Sequence, residues 1–202
     1  MKRISFKDSG GLNLTQAVLS GRKTMTRRVV PYRVETNAMK YAECKNNYTR
    51  EKLEYIRQHS HYKIGDVVAI QQAYKECFGE VEATKNKIRK KIGWTNKMFV
   101  AASRMPHHIR ITDICVERLQ DISDEDCLME GVYMDVEGCR VIGYPFGVPF
   151  YYTFKGAISK DGKNFHLATP RKAFSALIDK VSGRGTWNSN PLVWVYSFEL
   201  VN

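Results

Sequence analysis

The sequence predicts an α+β fold in a single domain over residues 1–202: a small mixed β-barrel with flanking helices and loop insertions. Apolar residues alternate or run together over strand-length stretches, and other segments carry apolar residues at helical spacing between start and stop signals. A chain of 202 residues with 43% hydrophobic content suits one sizeable core. A closed barrel is the economical arrangement, because closure removes exposed strand edges.

The first half of the chain predicts two helices and one strand. Leu12–Ser20 is predicted as a short helix, since its apolar residues share one face and Gly21 can supply the left-handed stop. A second helix is predicted around Thr49–His59. The Gly65-Asp66 pair then marks a turn, and Val67–Gln72 is predicted as a strand.

The second half begins with the clearest strand, His107–Leu119. Its alternation changes phase near Asp113–Cys115, which predicts a bulge or bend. A helix is predicted after Ser123, because an N-cap serine is followed by acidic residues that suit the first turn. That helix is expected to end near Glu130, since Gly131 follows.

The last two elements are a helix and a strand. Thr169-Pro170 opens the helix with an N-cap residue and a first-turn proline. Leu192–Val201 is the final strand, and the nearby Trp187 and Trp194 are assigned to the core. Three segments are predicted as insertions: 32–63, 79–97 and 133–168. The strongly basic segment 79–97 is expected at the surface.

Charge is placed unevenly along the chain, whose net charge is +11. Residues 1–110 carry 23 lysines and arginines against 9 acidic residues, a net charge of +14, whereas residues 111–202 carry 9 against 12. This asymmetry suits a polyanionic partner, such as RNA, approached from one side. The alternative is a basic surface that serves only solubility.

Cysteine and histidine usage argues against disulfides and metals. The five cysteines are an odd number with no CxxC pair, which favours buried thiols in a reducing cytoplasm. The five histidines match no metal-site spacing, so neither a metal nor a cofactor is expected. No apolar run is long enough to span a bilayer and no signal peptide is recognisable, so no membrane partner is expected.

The segment Gly21–Arg28, GRKTMTRR, concentrates the chemically useful groups. Nearby cations disfavour the charged ammonium of Lys23 and make it a candidate base. Arg27 and Arg28 form a candidate clamp for a phosphate or carboxylate, together with Arg22 and Gly21. The alternatives are a solvated basic turn, or a Lys23 that only binds an anion.

Four sequence blocks occur in a recognisable order: GRKTMTRRVV, IGDVVAIQQAYKE, HHIRITDICVERLQDISDEDCLMEGV and WNSNPLVWVYSFELV. In these blocks the chain resembles ASCH-domain proteins of the longer kind found in phage, prophage and bacterial genomes. The ASCH family is similar in fold to PUA domains, which are small β-barrels that bind RNA. The resemblance therefore implies a PUA-like barrel and RNA or a modified nucleoside as the partner.

One ASCH branch consists of amidohydrolases that remove the acetyl group from N(4)-acetylcytidine. Its motif G-x-K-x-x-T-x-R is matched here by Gly21, Lys23, Thr26 and Arg28. The resemblance implies Thr26 as the nucleophile, Lys23 as its base and Glu130 as a proton donor or orienting group. This chain is longer than those enzymes, so its insertions could cover or reshape the site.

Two local features bear on that site. Lys23 and Thr26 are three residues apart, and a regular strand would send them to opposite faces, so the chain must turn there if they are to converge. Glu130 lies late in its helix, where a carboxylate opposes the helix dipole. A cationic partner such as Lys23 or Arg28 would explain the placement; the alternative is an exposed glutamate.

The sequence is compatible with three functions. The first is a metal-free amidohydrolase acting on an acylated pyrimidine nucleoside, and the second is a non-catalytic RNA-binding module. The third is a phage-associated interaction protein with a vestigial site. Three aromatic residues outside the motif are candidates for stacking on a base, with core or loop anchors as the alternative: Tyr74, Trp94 and Phe99.

Overall fold

The computed structural model describes residues 1–44, 48–78, 92–134, 152–155, 167 and 169–201. Most of the predicted insertions 79–97 and 133–168 lies outside these residues. The described part is a five-stranded sheet with helices, so the predicted α+β class is confirmed. The strands of this sheet are β1 (Arg3–Ile4), β2 (Met25–Val29), β3 (Val67–Ile70), β4 (His108–Arg118) and β7 (Leu192–Val201). A separate pair is formed by β5 (Tyr133–Met134) and β6 (Tyr152–Thr153).

Seven α-helices lie in the described residues, together with short 3-10 turns. They are α1 (Leu14–Leu19), α2 (Tyr32–Cys44), α3 (Tyr48–Gln58), α4 (Tyr74–Cys77), α5 (Asp124–Met129), α6 (Pro170–Ser182) and α7 (Thr186–Ser189). None of the described helices is both long and apolar enough to cross a membrane.

The main sheet has the strand order β1-β3-β4-β7-β2, antiparallel except for the β1–β3 pair. Its edges are β1, which pairs over two residues with β3, and β2, which pairs with β7. Because these two edge strands are not hydrogen-bonded to each other, the sheet of the described residues stays open. The predicted closure into a small barrel is therefore not confirmed.

The first half of strand β7 is buried on both faces. On one face, the indole Nε1 of Trp194 in β7 donates to the carbonyl of Ile56 in α3. On the other, the guanidinium of Arg27 in β2 lies over the ring of Phe174 in α6. The helix–sheet–helix layering explains why Leu192–Val195 and their neighbours are almost fully buried although successive side chains point to opposite faces.

Most of the predicted elements are confirmed, with ends displaced by one or two residues. The bulge in β4 falls between Ile111 and Asp113, at the start of the predicted phase change. Helix α2 is the main helix that sequence reasoning missed. Its buried contacts come from Ala38 and Ala42, which are weak apolar signals in an otherwise polar segment. Helix α3 holds it through the ion pair between Lys52 and Glu35, at 3.1 Å.

Two sets of side-chain expectations need correction. Tyr74 is 2% exposed and its hydroxyl accepts from the Ala101 N–H, so it is a core residue and not a platform for a base. Phe99 is exposed, and Trp94 packs against the Tyr74 cluster. Cys115 is exposed, contrary to the expectation of buried thiols, because it points away from the core on β4.

We expect the fold to lose stability at alkaline pH because of Tyr62. It is buried, its hydroxyl donates to the carbonyl of Arg3 at 2.7 Å, and burial raises its pKa from 10.0 to about 12. Because the pKa of the hydroxyl is raised by folding, it contributes up to about 2–3 kcal/mol to the free energy of unfolding below pH 10. This contribution is lost as the pH rises through 12. Urea unfolding at pH 8 and pH 11 is expected to show a smaller pH effect in Tyr62→Phe. The control Tyr32→Phe, at an exposed tyrosine, should behave like the wild type. An equal loss of stability between pH 8 and pH 11 in all three proteins would show that Tyr62 does not cause the effect.

Candidate active site around Lys23 and Glu130

The turn between α1 and β2 places Lys23. Gly21 has a φ of +72° and follows the end of α1, where its N–H donates to the carbonyl of Val18. The Lys23 N–H then bonds back to the carbonyl of Ala17, at 2.8 Å. Lys23 therefore lies in the turn and precedes β2, so the three-residue spacing to Thr26 does not place the two side chains on opposite faces of one strand.

The end of α5 places Glu130. The Thr24 N–H donates to the carbonyl of Met129 at 3.0 Å, which joins the turn before β2 to the last residue of α5. Gly131 follows with a φ of +106°, a left-handed conformation that ends the helix. A Cβ at this position would lie 3.8 Å from Lys23, an ordinary van der Waals contact, so the backbone conformation and not lack of space favours glycine here.

Lys23 and Glu130 meet although 107 positions separate them. The Lys23 amine donates to the Glu130 carboxylate Oε2 at 2.5 Å and to its backbone carbonyl at 2.8 Å. Both side chains are almost completely buried, 3% exposed for Lys23 and 6% for Glu130. The cationic partner expected for a carboxylate at the end of a helix is thus Lys23, which also bonds one of the last helix carbonyls.

Burial lowers the pKa of Lys23 from its ordinary value of 10.5. The Glu130 carboxylate acts in the opposite direction, while the positive charges of Arg28 and Arg27 lower the pKa further. A neutral amine has two N–H donors and one lone pair. Its two hydrogen-bond acceptors among the described residues are both on Glu130, so a neutral Lys23 satisfies them and keeps its lone pair available.

Arg27 holds the other side of the Glu130 carboxylate. Its guanidinium is fully buried and donates to Glu130 Oε1 at 3.2 Å, to Asp126 Oδ2 at 2.6 Å and to Glu117 Oε1 at 2.8 Å. Burial alone would lower the pKa of Arg27, but the charges of Glu130 and Glu117 outweigh it and raise that pKa. The side chain is therefore engaged by the protein's own carboxylates, whereas the sequence predicted that it binds a ligand.

Thr26 lines the same small cavity as Lys23 and Glu130. The cavity has a volume of about 20 Å³, and Thr26 is 5% exposed. This space holds a group of about the size of one water molecule. Arg28 borders the cavity and also lines an open cleft of about 710 Å³ beside it. The structure thus brings Lys23, Thr26 and Glu130 to one enclosed space beside an open cleft.

The remaining predicted site residues lie elsewhere. Arg22 stacks over the ring of Tyr133, with its guanidinium carbon 4.9 Å from the ring centre. Arg22 and Gly21 line a separate groove with residues of α5 and β5. Neither reaches the cavity of Lys23, because the turn directs them to the opposite side.

Sequence reasoning missed the partners of Arg27. Asp126 was assigned only to the first turn of α5, and Glu117 was one polar residue of β4. The acidic run at Asp124–Asp126 is a visible signal, but it does not reveal which carboxylate turns inward. The pairing depends on β2 lying beside α5, which is a tertiary arrangement.

No family model matches this chain, and no curated protein matches it. Among solved structures it has a similarity to the crystal structure of protein EF3133 from Enterococcus faecalis V583, of family DUF984. The sequences are 14% identical, the alignment covers 100% of this chain and 77% of the other, and the TM-score is 0.37.

Proposed function

We propose that this chain is an ASCH-type, PUA-like protein that hydrolyses an acyl amide on a modified pyrimidine nucleoside such as N(4)-acetylcytidine, in the cytoplasm and without a metal. One observation carries the proposal. A buried lysine amine is held on a buried glutamate, and both line one cavity with a threonine. An ion pair that only stabilises the fold can form at the surface, where both charges stay hydrated. Burying both charges costs free energy of desolvation, so a buried pair beside a cavity points to a functional site.

The three residues have complementary roles in the proposed reaction. Thr26 Oγ attacks the acyl carbon while its proton passes to the neutral Lys23 amine. The C–N bond then breaks, and the leaving amino group of the base takes up that proton. Glu130 orients the amine and stabilises its protonated form. Water hydrolyses the acyl-threonine ester with Lys23 again accepting the proton, which releases the carboxylic acid and restores the hydroxyl.

Cavity size supports a small acyl group. The space of about 20 Å³ beside Thr26 suits a methyl-sized group, whereas the neighbouring cleft of about 710 Å³ lies in the range for nucleoside-sized ligands. An acetylated nucleoside would place the methyl end of its acetyl group in the cavity and its ring and sugar in the cleft.

Thr26 variants test the nucleophile. We expect purified wild-type protein to release cytidine from N(4)-acetylcytidine, measured by liquid chromatography. Thr26→Ser keeps a hydroxyl and should retain part of the rate. Thr26→Val removes it, and because nucleophile and base act as a unit the loss should reach about 10²–10⁴-fold. Thr24→Val is the matched control, since Thr24 lines a different groove. Full turnover in Thr26→Val would exclude threonine as the nucleophile.

A non-catalytic RNA-binding function is the second candidate. It is favoured by the three basic residues of the open cleft, Lys7, Arg28 and Lys97, all from the strongly basic part of the chain. RNA affinity that falls steeply with salt, without hydrolysis of any acylated nucleoside, would support this candidate over the enzyme.

A further inference from the structure

The open cleft lies directly beside the inner cavity. Both are lined by Phe6, Lys7, Arg28 and Val181, so these residues lie between the two spaces. The inner cavity holds no more than a group of about the size of one water molecule. The cleft, next to Lys7 and Arg28, is the neighbouring space large enough for the rest of a nucleoside.

Lys7 and Arg28 are held in place without being neutralised. The Lys7 amine donates to the carbonyls of Lys180, at 2.7 Å, and Val181, at 3.2 Å. The Arg28 guanidinium donates to the carbonyl of Ser5 at 2.6 Å. Neither side chain forms an ion pair with a carboxylate in the described residues. Carbonyl groups orient these cations but leave their positive charge uncompensated.

The acidic residues of the cleft are already engaged. Asp8 forms an ion pair with Lys97 at 2.7 Å and also binds the N–H and hydroxyl of Thr15. The Glu76 carboxylate accepts from the Ala73 N–H at the start of α4. The cleft lining carries three basic residues against two acidic ones, a net charge of +1, and Lys7 and Arg28 are the cations that lack an ion-pair partner among the described residues. Polar groups line its walls as well: Ser5, Ser9, Thr95 and Asn96.

We propose that Lys7 and Arg28 bind a phosphate group of the substrate, so that the acylated nucleoside is taken as a nucleotide. The proposal rests on the proposed function for the position of the base, with the acyl group directed at Thr26. Phosphate suits the pair, because an arginine fork and a lysine amine provide charge-assisted hydrogen bonds. A mononucleotide and the backbone of an RNA strand share this chemistry.

Calorimetric titration at low salt tests the phosphate site. The ligands are cytidine, cytidine 5′-monophosphate and inorganic phosphate. We expect the monophosphate to bind about tenfold or more tightly than cytidine, the size expected of one charge-assisted hydrogen bond. Arg28→Gln and Lys7→Gln should each remove most of this gain. Arg118→Gln is the matched control, since Arg118 also donates to a backbone carbonyl, that of Asn190, but lies outside the cleft.

The outcomes separate this proposal from the enzymatic one. Equal affinity for cytidine and its monophosphate, no binding of either, or a gain that survives in both variants overturns the phosphate site. A gain lost in the two variants supports it, even if no acylated nucleoside is hydrolysed. A short cytidine oligonucleotide then shows which molecule supplies the phosphate. Tighter binding than that of the monophosphate indicates an RNA strand, and equal binding indicates a mononucleotide. Thermal melting shows whether each variant is folded. If one of the two variants does not fold, the other still tests the phosphate site.

Discussion

Replacing Lys23 with arginine is expected to lower turnover of N(4)-acetylcytidine by about 10²–10⁴-fold, the usual contribution of a general base. Arginine keeps the positive charge and the ability to donate to Glu130, but it stays protonated at every working pH. The substitution therefore removes the base while retaining a cation. If Lys23 only binds an anion, the same variant should keep its ligand affinity and function.

Lys52→Arg is the control for this experiment. Lys52 is also a buried lysine paired with a glutamate, Glu35, but it lies between α2 and α3 and away from the cavity. Its variant should keep wild-type turnover, whereas full turnover in a folded Lys23→Arg protein would exclude lysine as the base. Circular dichroism shows whether both variants keep the fold.

The pH dependence follows from the same group. The base must be neutral, so turnover should rise with pH through the Lys23 pKa and then level off. Because burial lowers that pKa below 10.5, the rise should come at lower pH than an exposed lysine would give.

Replacing Arg27 with methionine is expected to destabilise the fold by about 3–5 kcal/mol, measured by urea unfolding. Arg27 binds three carboxylates, and removing it leaves Glu130 buried beside Asp126 and Glu117 with less compensating charge. Methionine fills similar volume, so the loss reports the unpaired charges more than a cavity.

Arg110→Met provides the matched comparison. Arg110 pairs with Glu199 across β4 and β7 at 2.8 Å, but both side chains are about half exposed, so its loss should cost at most about 1 kcal/mol. If the two variants lose similar stability, Arg27 is not the centre of the network. The double variant Arg27→Met, Glu130→Gln should recover part of the loss, because it removes one buried carboxylate.

The sequence was enough to predict which residues of the turn before β2 carry the chemistry. It was not enough to predict which residues of other elements contact them. The placement of Glu130 against its helix dipole predicted a cationic partner, Lys23 or Arg28, and the partner is Lys23. Arg27 and Arg28 are adjacent and chemically identical, so their residue type alone does not show which of them meets the protein's own carboxylates. Strand β2 sends one to the carboxylates of α5 and β4 and the other to the cleft.

The same limit applies to the fold. Long amphipathic or capped elements such as Pro170–Ser182 are visible because many residues contribute to one pattern. Strand β1 has two paired residues, too few for a pattern, yet its pairing with β3 sets an edge of the sheet. Lys7 was likewise unremarkable in sequence, since the carbonyls that orient it come from the far end of α6.

The protonation of the Lys23 amine in the free protein tests the central claim most directly. Nitrogen-15 side-chain NMR follows this amine as a function of pH, with the signal assigned by its loss in Lys23→Arg. Lys23 is expected to titrate at a clearly lower pH than the exposed lysines of the same protein, and at a still lower pH in Glu130→Gln, because Glu130 is the charge that opposes the effect of burial. A Lys23 amine that titrates like an exposed lysine, at about 10.4, would contradict its role as a base for Thr26.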